Sequence, residues 1–349
     1  MTEKIQKKKR DVSLDIAKGI LIFLVVWGHS IQMGFGYGYG ESGLYMRDAI
    51  YRGIYSFHMP LFMAISGYLF YYSNKKPFGK VISSKLKSIG IPYITYCTLL
   101  VLALAPSLKM GGAKSVIFET YKNGFWFLTS VLLNCMIVAV VTIISRNRRT
   151  VAALLLLINI IFLFVDENYL YKTHNFMFTC FIIGYLYNMY CRRPLICNKT
   201  RWFGVAIACV ALPVCISFFH DELYIYTSGV CIIRDGSISF DQLKTDVLRS
   251  VIALVASICF LSFVPLGRYL SAKCKNVLCS LSRYSLGIYC LTSIMLSVQY
   301  KALGKLGIDI PYSYLYPIAL TLVIMTCSYY FFRYCEKRRI LNALFLGGR

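Results

Sequence analysis

Lys18 and His29 stand eleven residues apart in SLDIAKGILIFLVVWGHS, an otherwise apolar stretch from Ser13 to Ser30. Eleven positions are almost three helical turns, so both side chains project from one helix face, about 16 Å apart along the axis. One stripe then carries a fixed cation and a group that exchanges protons near neutral pH. A neutral imidazole can take a proton from a hydroxyl as that oxygen attacks an acyl carbonyl, a general-base role worth about a hundred- to ten-thousandfold in rate. His58 opens a second apolar stretch, SFHMPLFMAISGYLF (Ser56 to Phe70), at a similar expected depth. For either histidine alone a satisfied structural role competes, and two at one depth weaken that reading.

The elements that position these residues must be membrane helices. The chain of 349 residues is 58% hydrophobic and only 15% charged, where a soluble domain carries about 25% charged residues. Runs of about 20 apolar residues predict ten spans. Their cores are at 14 to 33, 53 to 73, 91 to 108, 124 to 144, 150 to 165, 174 to 190, 202 to 219, 247 to 266, 279 to 298 and 313 to 334. The first is read as a retained helix, because it lacks a small-residue cleavage site. The expected fold is thus all-α, a polytopic helix bundle. A basic segment (1–12) and a tail (336–349) flank one transmembrane domain (13–335).

Charge sets the orientation. With the N-terminus inside, alternation makes 74 to 90, 145 to 149, 191 to 201, 267 to 278 and the C-terminal tail cytoplasmic as well. By that assignment 27 of the 38 Lys and Arg lie on the cytoplasmic side and 11 of the 15 Asp and Glu outside, the positive-inside pattern. The net charge of +23 is therefore explained by topology without nucleic acid, and both termini are expected inside. Of the fourteen cysteines only Cys231 falls in a predicted external loop, and no CxxC pair occurs, so neither an external disulfide nor a metal site is expected.

Other stretches are less specific. GFGYGYG (Gly34 to Gly40) follows a membrane helix rather than a strand, so it reads as a flexible aromatic turn and not as a phosphate loop. Ser66 and Gly67 leave room for a neighbouring helix. Lys85 and Lys87 belong to a lysine-rich connection that either snorkels to the interface or holds phosphate. Trp126 fits an aromatic belt, Asn134 needs a partner in the bundle, and His174 and His220 read as interfacial. The long external connection from His220 to Asp246 is expected to form a short hairpin or a cap over the acceptor side. No span centre carries a carboxylate, which weighs against a proton-relay pump.

Taken in order, Lys18 and His29, FHMPLF and SGY, a basic stretch ending in IPY, WFL, and YSLGIY near the end resemble the acyltransferase 3 family of membrane O-acyltransferases, with the flavour of its fucose 4-O-acetylase-like branch. The resemblance implies about ten core helices in the plasma (inner) membrane, cytoplasmic acetyl-CoA as donor substrate with no bound cofactor, and a sugar or glycan hydroxyl as acceptor. It makes His29 the essential histidine and Lys18 its basic partner, with His58 beside them as a further catalytic candidate. Lys85 and Lys87 fall in the donor-binding region, while Trp126, Ser66 and Tyr289 are expected to meet substrate. Ser88 stands where relatives often carry a basic residue, and Thr292 where a histidine often follows YSLGIY. Asp15 is placed to pair with Lys18. The rival class is a transporter or lipid-linked glycan flippase, which needs no acyl donor.

Overall fold

The computed structural model describes residues 11–105, 113–165, 172–196, 201–234 and 237–348, so the basic segment as far as Arg10 lies outside the described residues. Among the described residues each of the ten apolar stretches holds a helix: α1 (Val12–Met33), α2 (His58–Ser73), α3 (Ile91–Leu104), α4 (Trp126–Ile144), α5 (Arg148–Phe162), α6 (Lys172–Cys191), α7 (Arg201–Phe218), α8 (Phe240–Phe263), α9 (Ala272–Leu306) and α10 (Leu315–Glu336). Six helical segments are long and apolar enough to cross a membrane: α1, Phe78–Leu104, α4, Phe240–Tyr269, α9 and α10. Helix α9, at 35 residues, is about 52 Å long and so exceeds the hydrocarbon thickness of about 30 Å.

Local chemistry starts these helices where the sequence offers an oxygen. Asp11 accepts from the Ser13 and Leu14 amides at 3.1 and 3.3 Å, Asn147 from Arg149 at 2.9 Å, Ser239 from Gln242 at 3.2 Å and Ser271 from Cys274 at 3.2 Å. Each satisfies an amide that a helix start leaves without an intrahelical partner. Helix α9 stops at Gly307, whose φ of 64° is the left-handed conformation glycine adopts without a Cβ penalty.

Two differences from the sequence reading concern connections. The stretch expected as a cytoplasmic loop is helical from Phe78 onward and joins α3 through a π turn at Leu86–Gly90. The glycine-rich stretch after α1 is a helical turn, Tyr37–Ser42, pinned by the Gly38 amide donating 3.0 Å to Asp309 Oδ1. In the long connection before α8, Ile233–Arg234 and Ser237–Ile238 pair antiparallel as the expected short hairpin.

Small residues set the packing. Helix α1 lies chiefly against α9, and a Cβ on Gly19 would sit 2.4 Å from the Leu278 carbonyl oxygen. Helix α2 lies against α6 through reciprocal glycines, where a Cβ on Gly67 would meet Phe181 O at 2.0 Å and one on Gly184 would meet Ala64 O at 1.8 Å. Close backbone approach between small residues is how apolar helices associate inside lipid. The obstacle in each case is backbone, so a side chain forces the helices apart. We expect Gly184→Leu to cost about 3 kcal/mol, read as loss of the monodisperse detergent-solubilised protein and a lowered thermal midpoint, with Ser66→Ala unchanged beside it.

Candidate functional site

Two cavities lie end to end along the α1 stripe. The first, of about 230 Å³, is lined by Lys18, Ile22 and Val25 of α1, by Ser66 and Phe70 of α2, by Lys85 just before the π turn and Ser88 within it, and by Ser285 and Tyr289 of α9. The second, of about 280 Å³, holds His29, Gln32, Tyr51, Tyr55, Tyr224, Tyr226, Ser293 and Ser297. On α1 the lining positions step 18, 22, 25, 29, and on α9 they step 285, 289, 293, 297. Both are the spacing of a single helix face, so two facing stripes run through both cavities. Tyr289 stands at the junction, with its ring centroid 6.4 Å from that of His29.

His29 is half-buried, and the Gln32 side chain one turn along hydrogen-bonds it. Gln32 Oε1 in turn accepts from the Tyr55 hydroxyl at 3.3 Å, and the Tyr55 ring meets His29 edge-on at 6.4 Å. An imidazole held this way keeps one orientation, and its free nitrogen lone pair can receive a hydroxyl proton. At the other end, Lys85 Nζ lies 5.1 Å over the Phe70 ring, a cation–π contact that holds it at the cavity wall. Asp15 accepts from Ser282 at 3.0 Å, which ties the start of α1 to α9 beside Lys18.

The structure brings Lys18, Lys85, Ser66 and Tyr289 to the first cavity and His29 to the second. Lys87 is exposed and does not line the first cavity. His58 is buried behind Tyr55, 4.7 Å from its ring. Its Nδ1 lies 2.7 Å from the Ile54 carbonyl oxygen, so with the proton on Nδ1 that nitrogen donates and Nε2 is the accepting nitrogen. Trp126 and His58 share a narrow side cavity of about 50 Å³ with Tyr55 and Tyr224. Tyr55, Tyr224 and Tyr226 line both this side cavity and the His29 cavity, so they stand between them.

Ser66 Oγ donates to Phe62 O at 2.8 Å while facing the Lys18 cavity. Ser88 lines that cavity within the π turn, a geometry frequent at functional sites. Thr292 is buried and lines neither cavity. The partner of the buried Asn134 is Met63, whose sulfur accepts from Nδ2 at 3.6 Å. His174 packs on α4, with Nδ1 2.6 Å from Ser130 Oγ.

Sequence reasoning missed Gln32, Tyr55, Tyr224, Tyr226, Ser293 and Ser297. Gln32 and the two serines were within reach of the same helical spacing that paired Lys18 with His29. The tyrosines come from connecting segments whose placement depends on the tertiary fold. The segment from Glu222 to Gly229 caps the His29 cavity with Tyr224, Tyr226 and Thr227, where the long connection was expected to form a cap.

Comparison with known proteins gives this geometry its context. The sequence model of the acyltransferase domain family matches residues 11–333. The chain is similar to the nodulation protein NolL of Mesorhizobium japonicum, at 26% identity over 64% of this chain and 60% of that protein. It is also similar to the nodulation protein NolL of Sinorhizobium fredii, at 33% identity over 37% of this chain and 36% of that protein. The matched regions thus span less than two thirds of these relatives. No solved structure matches the chain. With Lys18, His29, Lys85 and Tyr289 all inside the matched region, the chain belongs to the acyltransferase 3 family of membrane acyltransferases.

Proposed function

We propose that this protein is a multi-pass O-acetyltransferase of the plasma (inner) membrane. It moves an acetyl group from cytoplasmic acetyl-CoA to a hydroxyl of an extracytoplasmic or lipid-linked sugar. The observation that carries this reading is the pair of facing stripes, with Lys18 and Lys85 at one mouth, His29 at the other and the His29 and Tyr289 rings 6.4 Å apart where the cavities meet. The lysines pair with CoA phosphates, and the pantetheine arm follows the apolar wall of Ile22 and Val25 toward His29.

An acceptor hydroxyl then enters from the aromatic side. His29 takes its proton as the oxygen bonds to the acetyl carbonyl carbon, and the carbon–sulfur bond breaks. The leaving CoA thiolate recovers the proton from the imidazolium, which returns His29 to its starting state. In this scheme His58 holds Tyr55, and through it Gln32 and His29, in register. A spectrum of tyrosine rings suits the flat apolar faces of a sugar ring, with Ser293 and Ser297 as hydroxyl partners.

The test is acetyl transfer by the purified protein in proteoliposomes, with labelled acetyl-CoA outside the acceptor compartment. A transporter or flippase gives no covalent acetyl product. Within the same assay, Lys85→Ala is expected to raise the KM for acetyl-CoA about tenfold, the loss of one charge-assisted phosphate contact, with kcat nearly unchanged. A fall in kcat with unaltered KM contradicts the donor role of Lys85.

A further inference from the structure

A third cavity, of about 670 Å³, opens at the Lys18 end and is separate from the two just described. Its wall includes Lys75 and Lys76 after α2, Arg146 and Arg148 at the junction of α4 and α5, and no carboxylate. None of these four cations forms an ion pair among the described residues, although Lys75 lies 5.0 Å over the Tyr71 ring. The wall is held by Asn74, whose Nδ2 donates to Thr142 Oγ1 at 3.0 Å and to Tyr185 Oη at 3.1 Å. This ties α2, α4 and α6 together beneath the charges. Four unpaired cations around one space are mutually repulsive, and a bound polyanion relieves that repulsion.

The position identifies which polyanion. Ser73 lines the Lys18 cavity and Asn74 the basic one, and on α4 Cys135 lines the first and Ala139 the second. The two spaces therefore adjoin, one helical turn apart along α4. A volume of this size suits a nucleotide, and Tyr71 and Phe78 supply aromatic faces. We propose that this cavity binds the 3′-phosphorylated adenosine end of the CoA donor, with the pyrophosphate between it and Lys85. The inference rests on the reading of acetyl-CoA as donor and adds a second anchoring site, built from residues outside the Lys18 cavity.

Calorimetry on the full chain in lipid nanodiscs tests it, with CoA, dephospho-CoA and adenosine 3′,5′-bisphosphate as probes. The double variant Arg146→Ala/Arg148→Ala is expected to bind CoA about tenfold more weakly, to lose the wild-type preference for CoA over dephospho-CoA, and to lose binding of the bisphosphate. Lys75→Gln/Lys76→Gln on the opposite wall is expected to act in the same direction, so a misfolded arginine variant does not end the test. If the wild type binds CoA and both folded variants bind it equally tightly, this inference is overturned while the donor reading stands. Variants that keep CoA affinity but lose a preference for phosphatidylglycerol over phosphatidylcholine nanodiscs also overturn it, and assign the cavity to a lipid headgroup. A wild type that binds no CoA overturns the donor reading and this inference together.

Discussion

Replacing His29 by alanine is expected to lower acetyl transfer about a hundred- to ten-thousandfold while leaving CoA affinity within about twofold. The separation follows from position. His29 lines the aromatic cavity, whereas Lys18 and Lys85, to which the proposed mechanism assigns the donor phosphates, line the other one. Removing the imidazole deletes the proton acceptor without touching the phosphate contacts, so kcat falls and donor binding persists. Single-turnover transfer in proteoliposomes, beside calorimetric CoA binding, measures the two independently. Gln32→Leu provides the graded control. It leaves the imidazole in place but removes the side chain that hydrogen-bonds it and accepts from Tyr55, so a smaller fall, about tenfold, is expected. Full transfer by His29→Ala removes the general-base role.

Much of this arrangement was legible because membrane helices leave few choices for a polar side chain. The spacing of Lys18 and His29 alone placed them on one face, and the helix and its cavities follow that stripe. The close approach expected at Ser66 and Gly67 is present where Gly67 meets the Phe181 backbone and Gly184 meets that of Ala64. What the sequence did not reveal depends on contacts between distant segments. Nothing local in HMPLF says that His58 turns its Nδ1 to Ile54 and packs behind Tyr55. The lysine-rich run reads as a loop from its polarity, yet it continues as helix into α3, and two positions apart on a helix Lys85 faces the cavity while Lys87 faces out. Gln242, Asp246 and Arg249 share a face at helical spacing, but what they grip was not readable from α8 alone.

That grip predicts the second large effect. Arg249 is 3% exposed. Its Nε donates to Leu223 O at 2.8 Å, and its Nη1 donates to Gly229 O at 2.9 Å and to Asp246 Oδ1 at 2.8 Å. Nη2 donates to Ser228 Oγ and, at 3.4 Å, to Glu222 O. Gln242 adds donors to Gly229 O and Asp246 Oδ1 at 3.1 and 3.0 Å. One guanidinium thus fastens both ends of the segment that puts Tyr224, Tyr226 and Thr227 into the His29 cavity. Arg249→Ala leaves a buried carboxylate without its cation and several carbonyls without donors, for which we expect a loss of about 3 to 5 kcal/mol. Arg249→Lys recovers little, because an ammonium has three donors on one atom and cannot span the carbonyls that the planar fork reaches. The damage is directional. The His29 cavity loses one wall while the Lys18 cavity keeps all of its lining, so under the proposed function the KM for acceptor is expected to rise at least tenfold with CoA affinity unchanged. Thermal melts paired with acceptor titrations check both parts, and an Arg249→Ala protein with wild-type melting and wild-type acceptor KM shows that the segment is held by other contacts.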